Sequence, residues 1–311
     1  MNKRDLLLSL IYDATPPAAT PAAFFLHFEP AAQQGQAAVD QHLAFFRRTG
    51  MDFVKIQYEQ KPPAAPDLRT PKDWARLPRC DEAFFEPTLN VVAGLLRAAQ
   101  AEALVVLTLY SPFMWARQTA GEARLAQHLR EDPEAVAQGL TILTENVRTL
   151  VRAGRRLGLD GFYASTQGGE AFRFPGTDLF ERYIKPTDLA VWDEIGASRF
   201  NILHICDYEG GYADLTPFRD YPGHVVNCSL LVGEQTLTPR AAAELFGRPF
   251  MGGLERKGVL AAGPAAAIQP AAAAVLAQRP ARFILGADCT VPNETPWEHL
   301  KTAVDAAHAA R

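Results

Sequence analysis

Eight short runs rich in β-branched and aromatic residues recur along the chain, and almost every gap between them is helix-like or rich in proline and glycine. The runs cover residues 24–29, 52–59, 103–111, 160–166, 199–206, 223–231, 249–255 and 282–289. Helix-like stretches at 37–50, 86–101, 132–158, 238–247, 269–280 and 295–310 carry apolar residues at helical spacing. One of them opens on Asp132-Pro133, an N-cap followed by proline at the first helical position. Another ends in two arginines and Gly50, a helix stop. Strand alternating with helix requires parallel strands joined by helical crossovers. Eight such units within 311 residues most simply close into an α/β fold, a (β/α)8 TIM barrel. The expected organisation is a single domain over 1–311, with 1–22 as an N-terminal helical extension. An open doubly wound sheet is the alternative.

With 48% of its residues apolar, the chain can bury a sizeable core. A formal net charge of -4 leaves no electrostatic footprint for nucleic acid or an anionic membrane. No apolar run approaches the roughly 18 to 20 residues that span a bilayer. Near the N-terminus "LLLSLI" follows two basic residues, but Asp5 and Asp13 interrupt the pattern of a signal peptide, so a helix face is expected there. Cys80, Cys206, Cys228 and Cys289 are too few and too scattered for a disulfide framework, and read as reduced thiols in a cytoplasmic enzyme.

Barrel enzymes of this kind work at the C-terminal ends of their strands. Here those ends carry His27 and Glu29, Tyr58 and Glu59, Tyr110 and Ser111, the segment "STQGGE", His204 and Cys206, Asn227 and Cys228, Glu255, and Asp288 and Cys289. The loop 60–79 follows the second run and is too long for a plain connector, so it is expected at the same mouth. The alanine-rich 259–278 reads as a crossover loop plus helix. His204 and Cys206 are two apart and point the same way from a strand. With Cys289 they form a His-Cys-Cys set that leaves the fourth tetrahedral position open, the pattern of a catalytic zinc site. Two thiolates and a neutral imidazole neutralise Zn2+. Against this stands the reading of each cysteine as a small buried hydrophobe. Cys228 competes with Cys289 as third ligand, and Cys80 reads as an uninvolved thiol.

The motifs "HIC" (204–206), "FMGGLERKGVL" (250–260) and "FILGADCTVPNETPWEHLKTAVDAA" (283–307) resemble the uroporphyrinogen decarboxylase-like superfamily. So do "DFVKIQYE", "TPKDWARLP" and "GFYASTQGG", which extends the resemblance over nearly the whole chain. It implies a (β/α)8 barrel with its cleft at the C-terminal mouth. The superfamily's methyltransferase branch, which moves methyl groups from corrinoid proteins to thiols such as coenzyme M, holds zinc through His-x-Cys and a distant Cys. His204, Cys206 and Cys289 match that pattern. Cobalamin-independent methionine synthase also uses zinc to activate a thiol, but a longer two-barrel architecture is expected for it. Uroporphyrinogen decarboxylases need no metal and carry an arginine-rich motif near the first strand and an aspartate after the second. The corresponding stretches here, "FFLHFEPAAQQG" and "VKIQYEQ", have neither.

The expected activity is therefore zinc-dependent methyl transfer to a small-molecule thiol, with a corrinoid protein or a related compound as donor. No Asp-x-His-x-x-Gly corrinoid motif occurs, so a corrinoid arrives on another protein. A homodimer is the assembly implied. Metal ligands are His204, Cys206 and Cys289; catalytic candidates are Glu255, Tyr110 and Gln167; substrate-binding candidates are Glu29, Tyr58, Tyr163 and Asn227. Glu255, Glu29 or Asp288 is expected to take the fourth metal position in the resting state or to hydrogen-bond His204. The alternatives are a decarboxylase or other metal-free lyase on the same barrel, and a non-catalytic zinc- or corrinoid-binding module.

Overall fold

The computed structural model describes residues 2–310. Helix α1 (Lys3–Tyr12) begins where the Asn2 side chain accepts a hydrogen bond from the Asp5 amide. Helix α2 (Gly35–Thr49) ends at Gly50, whose φ of 78° is the left-handed turn that the sequence places there. Strand β1 (Phe53–Ile56) follows, then α3 (Glu86–Ala99), β2 (Leu104–Tyr110), α4 (Pro112–Ala120), α5 (Glu122–Glu131), α6 (Pro133–Arg156) and β3 (Gly161–Thr166). Next come α7 (Lys185–Ile195), β4 (Ile202–Ile205), β5 (Val225–Cys228) and a small hairpin of β6 (Leu231–Val232) and β7 (Gln235–Thr236). The chain closes with α8 (Pro239–Phe246), β8 (Phe250–Leu254), α9 (Val259–Ala262), α10 (Ile268–Leu276), β9 (Phe283–Ala287) and α11 (Trp297–Ala309). Helices α4, α5 and α7 fill two stretches where the sequence pattern names no element. As anticipated, Asp132 caps α6 by accepting from the Ala135 amide at 3.0 Å.

Seven strands form one parallel sheet in the order β1-β2-β3-β4-β5-β8-β9. Strands β1, β3, β4, β5 and β9 are buried at every position, as parallel strands covered on both faces must be. The expected first strand at 24–29 does not form. Its neighbourhood is extended, but the peptide groups of residues 21–23 are divided between two partners. Ala23 donates to the Leu285 carbonyl and Leu285 to Pro21, while Asp52, just before β1, donates to Ala22. Ala22 in turn donates to the Asp52 carboxylate at 2.8 Å. Hydrogen bonds shared between β9 and the entry to β1 leave no run for a continuous ladder with either, and only the Ala22–Leu285 bridge remains.

The long loop 60–79 does follow β1, and it is partly structured. Thr70 and Asp73 make a capping box over a short 3-10 turn, Pro71–Arg76. Trp74 from this turn is fully buried, donates to His128 Nδ1 at 3.0 Å, and packs on Gly139 of α6.

Candidate metal centre

Register places the polar residues of the middle strands side by side. Ser165 of β3, His204 of β4 and Asn227 of β5 are successive cross-strand neighbours, so they share one face of the sheet. Cys206 continues β4, its amide donating to the Thr166 carbonyl, and falls on the face of His204. Cys289 stands two residues beyond β9. These three residues are buried, and their candidate ligand atoms lie within 4.8 Å of one another. The two sulfurs are 4.0 Å apart, and Cys289 Sγ is 3.4 Å from His204 Nε2. A tetrahedral zinc ion with ordinary bond lengths requires S···S near about 3.8 Å and S···N near about 3.6 Å. Both of those sides of the triangle fit that ion, and the sulfurs are far too distant for a disulfide. Cys228 is adjacent in sequence to Asn227 and so faces the other side of the sheet, which leaves Cys289 as the third member.

The two thiols share their protons unequally. The hydrogen bond between them, with burial, pushes Cys206 well up. The same bond pulls Cys289 well down, helped by His204 and Arg256. Cys206 also accepts from Gln167 Nε2 at 3.5 Å. Cys289 is held by Asp288, whose Oδ1 accepts from the Cys289 amide at 3.0 Å and the Arg256 amide at 2.7 Å. The Arg256 guanidinium then bridges Asp288 at 2.8 Å and Asp207 at 2.7 Å. One buried arginine thus ties together the residue after Cys206 and the residue before Cys289. Burial raises Asp288 to about 6 even though Arg256 opposes the shift.

The remaining predicted residues divide. Tyr163 packs at a tilt against His204 with ring centroids 4.9 Å apart, and its hydroxyl donates to Asn227. Asn227 donates on to the carbonyls of Met251 and Ala287, both at 2.9 Å, stitching β5 to β8 and β9. Tyr58 and Tyr110 meet edge to face at 5.5 Å and line a cavity of about 550 Å3 with Glu59 and the start of the long loop. The Tyr58 hydroxyl is buried there without a partner. Glu29 and Glu255 are exposed. Glu255 lines a separate cavity of about 400 Å3, together with Asp207, Arg256 and Asp288. Asp288 itself is engaged by Arg256 and by backbone amides.

Two participants escape a sequence reading. Arg256 follows Glu255 and passes for a rim residue. Lys55 lies inside the short apolar strand "FVKI", and a lysine within such a run is the signal that marks it. Its ammonium is buried, donates to Gln57 Oε1 at 2.6 Å, and sits 4.6 Å and 4.7 Å from the ring centres of Phe25 and Tyr163. Burial lowers Lys55 to about 7, against the attraction of Cys289, Glu59 and Cys206. Gln57 Nε2 in turn contacts His27 Nε2 at 3.0 Å, and His27 Nδ1 meets Glu59 at 2.8 Å.

Among the described residues no helix is long and apolar enough to cross a membrane. No curated protein matches the chain. Among solved structures, a methyltransferase from Methanosarcina mazei superposes with a TM-score of 0.80 at 15% identity, covering 99% of this chain and 98% of that one. A putative vitamin-B12 independent methionine synthase from Listeria monocytogenes gives 0.54 at 15% identity, covering 94% of this chain and 97% of that one. A B12-independent methionine synthase from Shewanella sp. W3-18-1 gives 0.57 at 12% identity, covering 94% and 96%. Both are covered almost whole, which overturns the expectation that length separates this chain from methionine synthases. The uroporphyrinogen decarboxylase (URO-D) family model matches residues 43–310, and the chain belongs to that family.

Proposed function

We propose that this protein is a zinc-dependent methyltransferase that presents a small-molecule thiol for methylation by a corrinoid protein or a related methyl donor. The observation that carries the reading is the buried triangle of His204 Nε2, Cys206 Sγ and Cys289 Sγ, spaced for a tetrahedral ion with one side left to a substrate. Bound Zn2+ supplies Lewis acidity that lowers the pKa of an added thiol. The acceptor sulfur gives up its proton and takes the methyl group, and the electron pair of the broken bond stays with the donor.

The chain's own residues set up that exchange. Gln167 and Asp288 fix the two cysteines, Tyr163 orients the imidazole, and the cavity between Tyr58 and Tyr110 receives substrate. The sheet, with residues 21–25 between its edges, is read as a closed (β/α)8 barrel in a single domain, cytoplasmic and homodimeric. The fold shared with a methyltransferase and two methionine synthases agrees with the chemistry. The family name favours a second reading, a metal-free decarboxylase. Elemental analysis of the purified protein decides between them. One zinc per chain, with an added thiol entering its coordination shell, is the expected result. Reduced cysteines without bound metal would reject the methyltransferase.

A further inference from the structure

Lys55 is buried inside the sheet, and among the described residues no carboxylate pairs with it. Its ammonium donates to an amide oxygen, Gln57 Oε1, and two aromatic rings flank it. Removing an ammonium from water costs several kcal/mol unless an opposite charge compensates it. The ionisable groups whose negative charge attracts Lys55 are Cys289, Glu59 and, once it is deprotonated, Cys206. Tyr163 links the cation to the cysteine cluster, with its ring near Lys55 Nζ and the same ring packed at a tilt of 33° against the His204 imidazole. Those two contacts keep the ammonium within about 10 Å of the imidazole, where an effective dielectric of about 20 leaves appreciable coupling between charges.

The Gln57 amide is turned to suit a cation at Lys55. An ammonium offers protons only, so the Gln57 oxygen faces it and the Gln57 NH2 group faces His27. His27 Nε2 must then accept, and Nδ1–H donates to Glu59. The chain from Lys55 to Glu59 therefore has a defined polarity, with the positive end on the cluster side and the negative end beside the larger tyrosine-lined cavity.

We propose that Lys55 is a positioning residue whose positive charge selects an anionic sulfur as the fourth ligand of the His204–Cys206–Cys289 centre. The inference rests on the metal-site reading above. A divalent ion held by two thiolates and a neutral imidazole carries no net charge. A thiolate joining it adds one negative charge inside the barrel, and Lys55 offsets that charge. A neutral fourth ligand gains nothing from Lys55.

The test uses the full chain loaded with Co2+, whose visible spectrum reports its ligands, titrated with 2-mercaptoethanol and, separately, with imidazole. The tail of 2-mercaptoethanol is uncharged, so any effect of Lys55 falls on the sulfur. In Lys55→Met, Co2+ should bind at one per chain and imidazole affinity should stay within about twofold, while 2-mercaptoethanol binding weakens about tenfold or more. Lys55→Arg should recover part of the loss, and Lys55→Gln, equally uncharged, takes the place of the methionine variant should that one not fold. Unchanged thiol affinity in Lys55→Met, or an equal loss for thiol and imidazole, overturns the proposal. Failure of the unaltered protein to bind Co2+ or Zn2+ rejects the metal reading itself.

Discussion

The sulfur of Cys206 lies 4.0 Å from the sulfur of Cys289, 83 residues further along the chain. Replacing either cysteine with serine should lower zinc affinity more than about 100-fold, beyond the 10–100-fold typical of an outer hydrogen-bond partner. Gln167→Ala, which removes the contact to Cys206, should fall within that smaller range. Cys228→Ala should leave the metal content unchanged. Competition with a chromophoric chelator measures all of these.

Metal removal should also destabilise the fold. At a free zinc concentration of about 100 times Kd, a site present only in the native state adds about 2.7 kcal/mol. For a chain of this size that corresponds to a drop of roughly 4 °C in melting temperature on chelation. Differential scanning fluorimetry with and without chelator checks it. Equal melting temperatures would count against a structured site.

Arg256→Met should cost about 2–4 kcal/mol at neutral pH, because it leaves Asp207 and Asp288 largely buried and unpaired. Asp288 titrates at about 6 in the folded protein and Asp207 is also raised, chiefly by burial. Without Arg256 both are raised further, so the deficit should shrink as pH falls towards 6 and these carboxylates take up protons. Urea unfolding at pH 5.5 and 7.5 reads the difference.

Asp188 supplies a separate pH dependence. It is buried behind β3, where its carboxylate accepts from Thr166 and from the Tyr221 hydroxyl, and burial raises it to about 7. A folded pKa above the unfolded value means that the native state holds a proton the unfolded chain releases between about pH 4 and pH 7. Stability from this group is greatest below that window and declines across it as pH rises. Asp188→Asn should flatten the decline, and stability measured from pH 5 to 8 would reveal it.

The long loop after β1 should prove structural as well as local to the mouth. A Cβ at Gly139 would lie 2.8 Å from Trp74 Cβ, so Gly139→Ala should destabilise by about 1–3 kcal/mol through overpacking. Trp74→Ala should cost about 3–5 kcal/mol. Denaturant titration gives both values.

Much of this was legible in the residues because it depends on local periodicity. Seven of the eight β-rich runs form strands of one parallel sheet. The Asp132 cap and the Gly50 stop stand where their types require. The failed run, 24–29, has strand-like composition, but the backbone just before it divides its hydrogen bonds between β9 and the entry to β1, which a local pattern does not reveal.

The sequence by itself determined the alternation that yields parallel strands, and the two-residue spacing that puts His204 and Cys206 on one face. Only the tertiary structure decided that Cys289 joins them and Cys228 does not, that Arg256 clasps Asp207 to Asp288, and that Lys55 is buried beside Tyr163. Alternation along a strand follows from backbone geometry within a few residues. Which strand ends meet depends on register and sheet curvature, which arise from contacts between segments far apart in the chain.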